Sequence, residues 1–188
     1  MPESGFSIEV FTAQLHQYIL DNQLAPAQIF GYSMGGYVAL HLAQQHPEAI
    51  QQLFTLGTKF DWSPETAQQE IRMLNPEKIS AKIPAFAKAL ETRHHPTDWA
   101  AVLQQTANLM VALGDQPLVT PESVKTIQMP VTIGWGALDK MVSQVESERM
   151  ANALPNGTFE QFQDTPHPIE QVNMEVLSTQ LIRFFNPT

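Results

Sequence analysis

A serine between closely spaced glycines is the first feature of the chain that could carry out chemistry. Residues 31–35 read GYSMG, with Ser33 at the centre. The pattern G-x-S-x-G places a serine on a sharp turn from a strand into a helix, where the glycines leave room for both backbones. A serine held in this way can attack a carbonyl carbon, and the N–H of Met34 at the helix start would stabilise the resulting oxyanion. Ser33 is therefore the candidate nucleophile, and the alternative is an accidental match in a glycine-containing loop.

A serine hydroxyl needs a base to remove its proton, and the base needs a third group to orient it. His167 lies in the segment DTPHP at residues 164–168, where two flanking prolines restrict its backbone. Asp139 follows the apolar run 131–135, which places it beyond the carboxyl end of a predicted strand, where the sites of open α/β sheets gather. We predict that His167 is the base and Asp139 the acid. The structural alternatives are an ordinary loop histidine and an ordinary turn aspartate.

The other five histidines fit the role of the base less well. His16, His41 and His46 lie on predicted helices or at their ends and are interpreted as surface residues. His94 and His95 are interpreted as solvated, with contact to a substrate as the alternative. Because His41 and His46 are five residues apart, they do not share the helix face that a metal-binding pair uses. The sequence predicts neither a metal site nor a cofactor.

Helices and strands alternate at both ends of the chain. Apolar spacing and breaker residues predict helices at about 7–22, 34–46, 143–154 and 172–185, and strands at 27–30, 52–56, 131–135 and 158–162. The third of these helices opens on a capping box formed by Ser143 and Glu146. Such alternation predicts an α/β fold with a mostly parallel sheet flanked by helices.

The middle of the chain, residues 59–126, has a different sequence pattern. Helical spacing dominates there, interrupted by prolines, and the segment holds seven of the ten Lys and Arg residues. We interpret it as a helical insertion over one end of the sheet. The predicted organisation is therefore a first core segment at 1–58, the insertion at 59–126 and a second core segment at 127–188.

Composition limits the classes of partner and compartment. The chain has 188 residues and a formal net charge of -9, so phosphate backbones and anionic lipid surfaces are unfavourable partners. It contains no cysteine, which is compatible with a reducing compartment, and we expect a cytoplasmic location. The first ten residues have no basic or apolar region, so we expect no signal peptide there. The expected partner is a small-molecule substrate.

Three motifs together resemble the α/β-hydrolase superfamily, in particular its small capped members. They are GYSMGG at 31–36, GALDKMV at 136–142 and TPHPIEQV at 165–172. The resemblance implies Ser33 as nucleophile, Asp139 as acid, His167 as base and the insertion as a helical cap that shapes the substrate pocket. Candidates for contact with the substrate are Tyr32, Trp62 and Trp99. For the two tryptophans, packing inside the cap is at least as good an interpretation.

The chain departs from this superfamily in one respect. The family has several strands before the strand that leads to the nucleophile, and residues 2–7, PESGFS, look like the segment that follows the fourth of them. The missing part includes the loop that supplies a second oxyanion donor, whose loss costs about 10²–10³ in rate. The strand before Ser33 would also become a sheet edge. We expect the chain alone to be weakly active and to self-associate, as a truncated product, a dimer or one part of a complex, and a monomer with full esterase turnover would refute this.

The sequence therefore predicts a partial α/β-hydrolase fold and a serine hydrolase acting on a small ester-, thioester- or amide-like substrate. Two alternatives stay open. The same three residues can support lyase or perhydrolase chemistry, because a fold does not fix a reaction. The chain could also be an inactive remnant or a ligand-binding module that keeps the pocket.

Overall fold

The computed structural model describes residues 5–186. The part of the predicted segment 2–7 that precedes Gly5 lies outside the described residues. Within this range the helices are α1 Ile8–Asp21, α2 Met34–Gln45, α3 Pro64–Ile71, α4 Pro76–Lys82, α5 Pro84–His94, α6 Trp99–Asp115, α7 Gln144–Ala153 and α8 Met174–Phe185. The strands are β1 Ala27–Tyr32, β2 Ile50–Leu56, β3 Val131–Gly136 and β4 Gly157–Phe162.

The described strands form one sheet in the order β1-β2-β3-β4, and every neighbouring pair is parallel. The chain therefore moves one strand across the sheet after each crossover. Because all strands run the same way, their carboxyl ends meet at one edge, where the loops after β1, β3 and β4 lie close together. The predicted α/β fold with a parallel sheet flanked by helices is confirmed.

Helices cover both faces of this sheet. Successive side chains of β2 point to opposite faces, so Phe54 and Thr55 mark the two sides. On the first side Phe54 belongs to a buried cluster with α8, formed by Phe54, Leu56, Phe162, Val172 and Leu177. On the second side Thr55 lies against Gly36 of α2. The apolar residues of β2 and β3 are buried almost without exception, which is typical of central parallel strands.

The chain divides into two compact units. Among the described residues, the sheet unit comprises 11–60 and 118–186, and the helical unit comprises 61–117 with 5–10. The helical unit therefore ends at Pro117, whereas the predicted insertion extends to residue 126. Residues 118–126 belong to the sheet unit because the hydroxyl of Tyr37 on α2 accepts hydrogen bonds from the N–H groups of Leu118 and Val119, at 3.0 and 2.9 Å.

Three of the four helices within Asp61–Pro117 begin at prolines. Pro64, Pro76 and Pro84 are the first residues of α3, α4 and α5. A proline is tolerated at this position because its missing N–H would have no partner within the helix. The chain before α1 joins this unit, since the N–H of Phe6 donates to Oε1 of Gln105 on α6 at 3.4 Å.

The interpretation of His41 as a surface residue is wrong. His41 is only 8% exposed, and its ring lies between α1 and α2. There Nδ1 forms a 3.0 Å hydrogen bond with the Thr12 hydroxyl. Thr12 is itself buried, so the pair satisfies two polar groups inside the contact between the two helices.

Strand β1 is an edge of the described sheet, as the sequence predicts. It has no charged residue, although charges commonly protect such edges. A groove of about 450 Å³ runs beside it, lined by Phe11, Leu15, Ile29, Phe30, Gly31, Tyr32, Met34, Gly35 and Val38. Self-association through this edge stays a prediction. None of the helices in residues 5–186 has the length and apolarity needed to cross a bilayer.

Candidate active site

Ser33 occupies a strained turn between β1 and α2. Its backbone has φ 53° and ψ −121°, an unfavourable conformation for any residue other than glycine. Three hydrogen bonds hold the turn. The Ser33 N–H donates to Leu56 O at 2.8 Å, while its carbonyl accepts from the Thr58 hydroxyl at 2.9 Å and from Gly36 N–H at 3.1 Å. The fold therefore imposes the conformation that the glycine–serine pattern predicts.

Two glycines of the motif are required by close contacts. A Cβ on Gly31 would lie 2.5 Å from the Cα of Gly36. A Cβ on Gly36 would lie 2.1 Å from Oγ1 of Thr58, the hydroxyl that holds the Ser33 carbonyl. By contrast, a Cβ on Gly35 would meet no atom within 4 Å. Only two of these three glycines are therefore fixed by packing.

Two matched variants test this difference in packing. Gly36→Ala should lower the free energy of unfolding by about 1–3 kcal/mol, because overpacking displaces the buried Thr58. Gly35→Ala should leave it unchanged or raise it by up to about 1 kcal/mol, since alanine favours the helix. Urea unfolding followed by circular dichroism measures both. Equal destabilisation by the two variants would contradict the contact geometry.

The loops after β3 and β4 bring Asp139 and His167 to Ser33. Nε2 of His167 lies 3.1 Å from Oγ of Ser33, and Nδ1 lies 2.7 Å from Oδ2 of Asp139. The two loops are joined by backbone hydrogen bonds, from Ala137 N–H to Phe162 O at 2.9 Å and from Leu138 N–H to Thr165 O at 3.0 Å. The structure thus brings together all three residues that the sequence selects as nucleophile, base and acid.

The carboxylate of Asp139 is the most enclosed member of the group. Its side chain is 2% exposed, against 16% for His167. Its other oxygen, Oδ1, accepts from the N–H groups of Met141 and Val142 at 2.8 and 3.0 Å. Because a carboxylate is only an acceptor, Nδ1 of His167 must donate to it, which leaves the Nε2 lone pair facing Ser33.

Tyr32 contacts His167 through both its hydroxyl and its ring. Its hydroxyl donates to the backbone carbonyl of His167, and the two rings lie 5.5 Å apart. Burial raises the pKa of Tyr32, and the negative charge of Asp139 raises it further. The phenol therefore stays protonated and keeps its donor role at neutral pH. Its predicted contact with a substrate stays a prediction, while the structure gives it a position that fixes the His167 loop.

Removing this hydroxyl tests that positioning role. We expect Tyr32→Phe to lower the free energy of unfolding by about 1 kcal/mol, since the His167 carbonyl loses a partner. The rate of serine labelling by a fluorophosphonate should fall about tenfold, because small displacements of a base slow proton transfer. Tyr18→Phe is the control, since Tyr18 is 61% exposed. Unchanged labelling in Tyr32→Phe would show that the contact is structural only.

Sequence reasoning missed two residues of this site, Gly57 and Thr58. Gly57 follows β2 with φ 64°, and a Cβ there would lie 3.4 Å from Oδ2 of Asp139 and 3.5 Å from Nδ1 of His167. Thr58 supplies the hydroxyl that holds the Ser33 carbonyl. The sequence did show that Gly57 ends a predicted strand. It could not show that Asp139 and His167, from distant segments, lie against this glycine.

The remaining candidates lie in different parts of the chain. Met34 is the first residue of α2, so its N–H is one that the helix does not use internally. Trp62 is half-buried in the segment before α3. Trp99 begins α6 and packs against the buried cluster Ile79, Leu90 and Leu103 of the helical unit. The packing interpretation of Trp99 is therefore supported, and its contact with a substrate stays a prediction, as does that of Trp62.

Comparison with known proteins agrees with the observed fold. The family model described as the alpha/beta hydrolase fold matches residues 2–76, which include the serine turn. Solved structures of that fold superpose on nearly the whole chain. The chain has the α/β-hydrolase fold. One such structure, the α/β-hydrolase MGS-M2 from a deep-sea metagenome of the Medee basin, has a TM-score of 0.76 and 16% identity, over 99% of this chain and 74% of its own.

Two relatives show the range of names within the superfamily. A Mycobacterium tuberculosis protein with the provisional name non-heme bromoperoxidase is 24% identical, over 96% of this chain and 76% of its own length. The pimeloyl-[acyl-carrier protein] methyl ester esterase of Vibrio vulnificus is also 24% identical, over 98% of this chain and 81% of its own length. The two relatives thus carry different names, a bromoperoxidase and an esterase.

Proposed function

We propose that this chain is a serine hydrolase of small ester-, thioester- or amide-like substrates. The observation that carries the proposal is the continuous hydrogen-bonded row from Ser33 Oγ to His167 Nε2 and from His167 Nδ1 to Asp139 Oδ2, at 3.1 and 2.7 Å. Three side chains from three separate loops have no structural need to meet in this order. The arrangement matches what an activated serine requires.

The reaction would proceed in two steps. Ser33 Oγ attacks the carbonyl carbon while Nε2 of His167 takes the hydroxyl proton, and Asp139 stabilises the resulting imidazolium. The tetrahedral intermediate collapses, the leaving group departs with the proton from His167, and an acyl ester on Ser33 remains. Water then attacks this ester with His167 again acting as base. The products are the carboxylic acid and free Ser33.

The oxyanion would form next to the start of α2. The N–H of Met34 is the donor that the proposal assigns, aided by the positive end of the helix dipole. A second donor is usual at such sites. Each such donor contributes about 10²–10³ in rate.

A covalent probe and a substrate panel test the proposal. A fluorophosphonate should add one phosphonyl group to the folded protein, visible by intact mass. Turnover is then compared among a p-nitrophenyl ester, a thioester and an anilide that carry the same short acyl chain. This comparison ranks the leaving groups that the site accepts. Absence of an adduct on protein with a native circular dichroism spectrum would reject the hydrolase and favour the ligand-binding alternative.

Perhydrolysis is a second candidate, favoured by the relative named for bromoperoxidase activity. Hydrogen peroxide would replace water in attack on the acyl ester of Ser33, giving a peracid and regenerating the serine. Peracetic acid formed from acetate ester and peroxide, at a rate above that of plain hydrolysis, would favour this reaction over the hydrolase.

A further inference from the structure

A second group of side chains with ligand chemistry lies at the far end of the contact between α1 and α2. It consists of His16 on α1, His46 at the end of α2 and Glu48 just beyond it. The ligand atoms of these three residues lie within 4.8 Å of one another. The two imidazole rings stack with centroids 3.7 Å apart, and His46 Nδ1 lies 3.3 Å from Glu48 Oε1.

The packing of the two helices fixes this juxtaposition. Thr12 and His16 are four residues apart on α1, so their side chains lie on one face of the helix. The buried hydrogen bond between Thr12 and His41 sets the register of α1 against α2. One turn further along, that register brings His16 over His46. The sequence could not reveal the pair, because thirty residues separate its members.

We propose that His16, His46 and Glu48 bind one divalent transition-metal ion, with Zn²⁺ as the ion that fits best. Two imidazoles and one carboxylate are a donor set that Zn²⁺ accepts in a tetrahedral site whose fourth position holds water. Glu48 contributes a carboxylate oxygen beside the two imidazole nitrogens, all within 4.8 Å of one another.

Binding requires only local movement of the side chains. Bonds of about 2.0–2.2 Å place tetrahedral ligand atoms roughly 3.4 Å apart. His46 Nδ1 and Glu48 Oε1 already have this separation, and ligand atoms up to 4.8 Å apart must approach by at most about 1.4 Å. The side chains of His46 and Glu48 are 42% and 71% exposed, so they are free to turn. Each ring must rotate out of the stack until its nitrogen lone pair points at the ion.

The ion would join α1 to the carboxyl end of α2, the helix whose first turn follows Ser33. Both helices also border the groove beside β1, through Phe11 and Leu15 on one side and Val38 on the other. A bound ion would therefore stiffen the support of the serine turn without touching the reacting atoms.

Calorimetric titration of the whole chain with ZnCl₂ tests the site. We expect one ion per chain, and a thermal midpoint raised by about 3–6 °C at tenfold excess over Kd. Mg²⁺ should give no signal, because it prefers oxygen ligands. The double variant His16→Ala/His46→Ala should abolish the binding, and Glu48→Gln should weaken it at least tenfold.

Two matched variants separate this site from other imidazoles. His94→Ala/His95→Ala removes two consecutive histidines at the end of α5 and should leave the titration unchanged. His167→Ala should also leave it unchanged, which excludes the triad as the zinc site. Undiminished stoichiometric binding in His16→Ala/His46→Ala, or no binding by the unaltered chain, would overturn the proposal. Both outcomes are independent of the hydrolase activity.

Discussion

Replacement of Ser33 by alanine should abolish the fluorophosphonate adduct and lower any ester turnover by about 10³–10⁶-fold. The hydroxyl is the only atom that His167 Nε2 faces at hydrogen-bond distance in the described residues, so no second nucleophile can take its place. Intact mass measures the adduct, and release of p-nitrophenol measures the turnover. The fold should persist, because alanine keeps the backbone hydrogen bonds of the turn.

The positive φ of Ser33 limits the choice of control. Alanine pays the same backbone cost as serine at φ 53°, so thermal unfolding should show little change. Ser178→Ala on the exposed face of α8 controls for loss of a hydroxyl elsewhere. An adduct of unchanged stoichiometry on the Ser33→Ala protein would place the reactive residue somewhere else and end the hydrolase proposal in its present form.

Replacement of Asp139 by asparagine should slow the labelling of Ser33 and the turnover by about 10⁴-fold. The N–H groups of Met141 and Val142 fix the amide oxygen in the place of Oδ1. The amide NH₂ then faces Nδ1 of His167, which must become an acceptor. The proton moves to Nε2, and the ring can no longer accept the proton of Ser33.

Asp164 offers a matched control for this change. It lies three residues before His167, is exposed, and has φ 52°, a conformation that asparagine tolerates well. Asp164→Asn should therefore keep both stability and labelling rate near their original values. If Asp139→Asn and Asp164→Asn slowed the labelling equally, the effect would come from loss of charge near the loop rather than from the tautomer.

Local signals were sufficient for the elements and for the three residues proposed to react. The glycines around Ser33 predict its turn because their need for space is a property of neighbours in the chain. The capping box of Ser143 and Glu146 is present as predicted, with both hydrogen bonds formed. Asp139 and His167 were found because parallel strands deliver their following loops to the same edge of the sheet.

The supports of the site depend on residues far apart in the chain. Glu146 is 2% exposed, and besides capping α7 it accepts from the N–H of Phe60 at 2.8 Å. The hydrogen bond from Tyr32 to the His167 carbonyl joins residues 135 positions apart. Hydrophobic periodicity cannot predict such pairs. The sequence around one partner would look the same if the other partner were absent.

The sequence by itself determined the order of strands and helices along the chain, the strained serine turn and the three residues proposed as nucleophile, base and acid. Those features follow from steric and hydrophobic rules that act over a few residues. Only the tertiary structure decided that His41 is buried against Thr12, that residues 118–126 join the sheet unit, and that His16 stacks on His46. Each of these outcomes depends on contacts between segments far apart in the chain, which are set by packing of the whole unit rather than by any local segment.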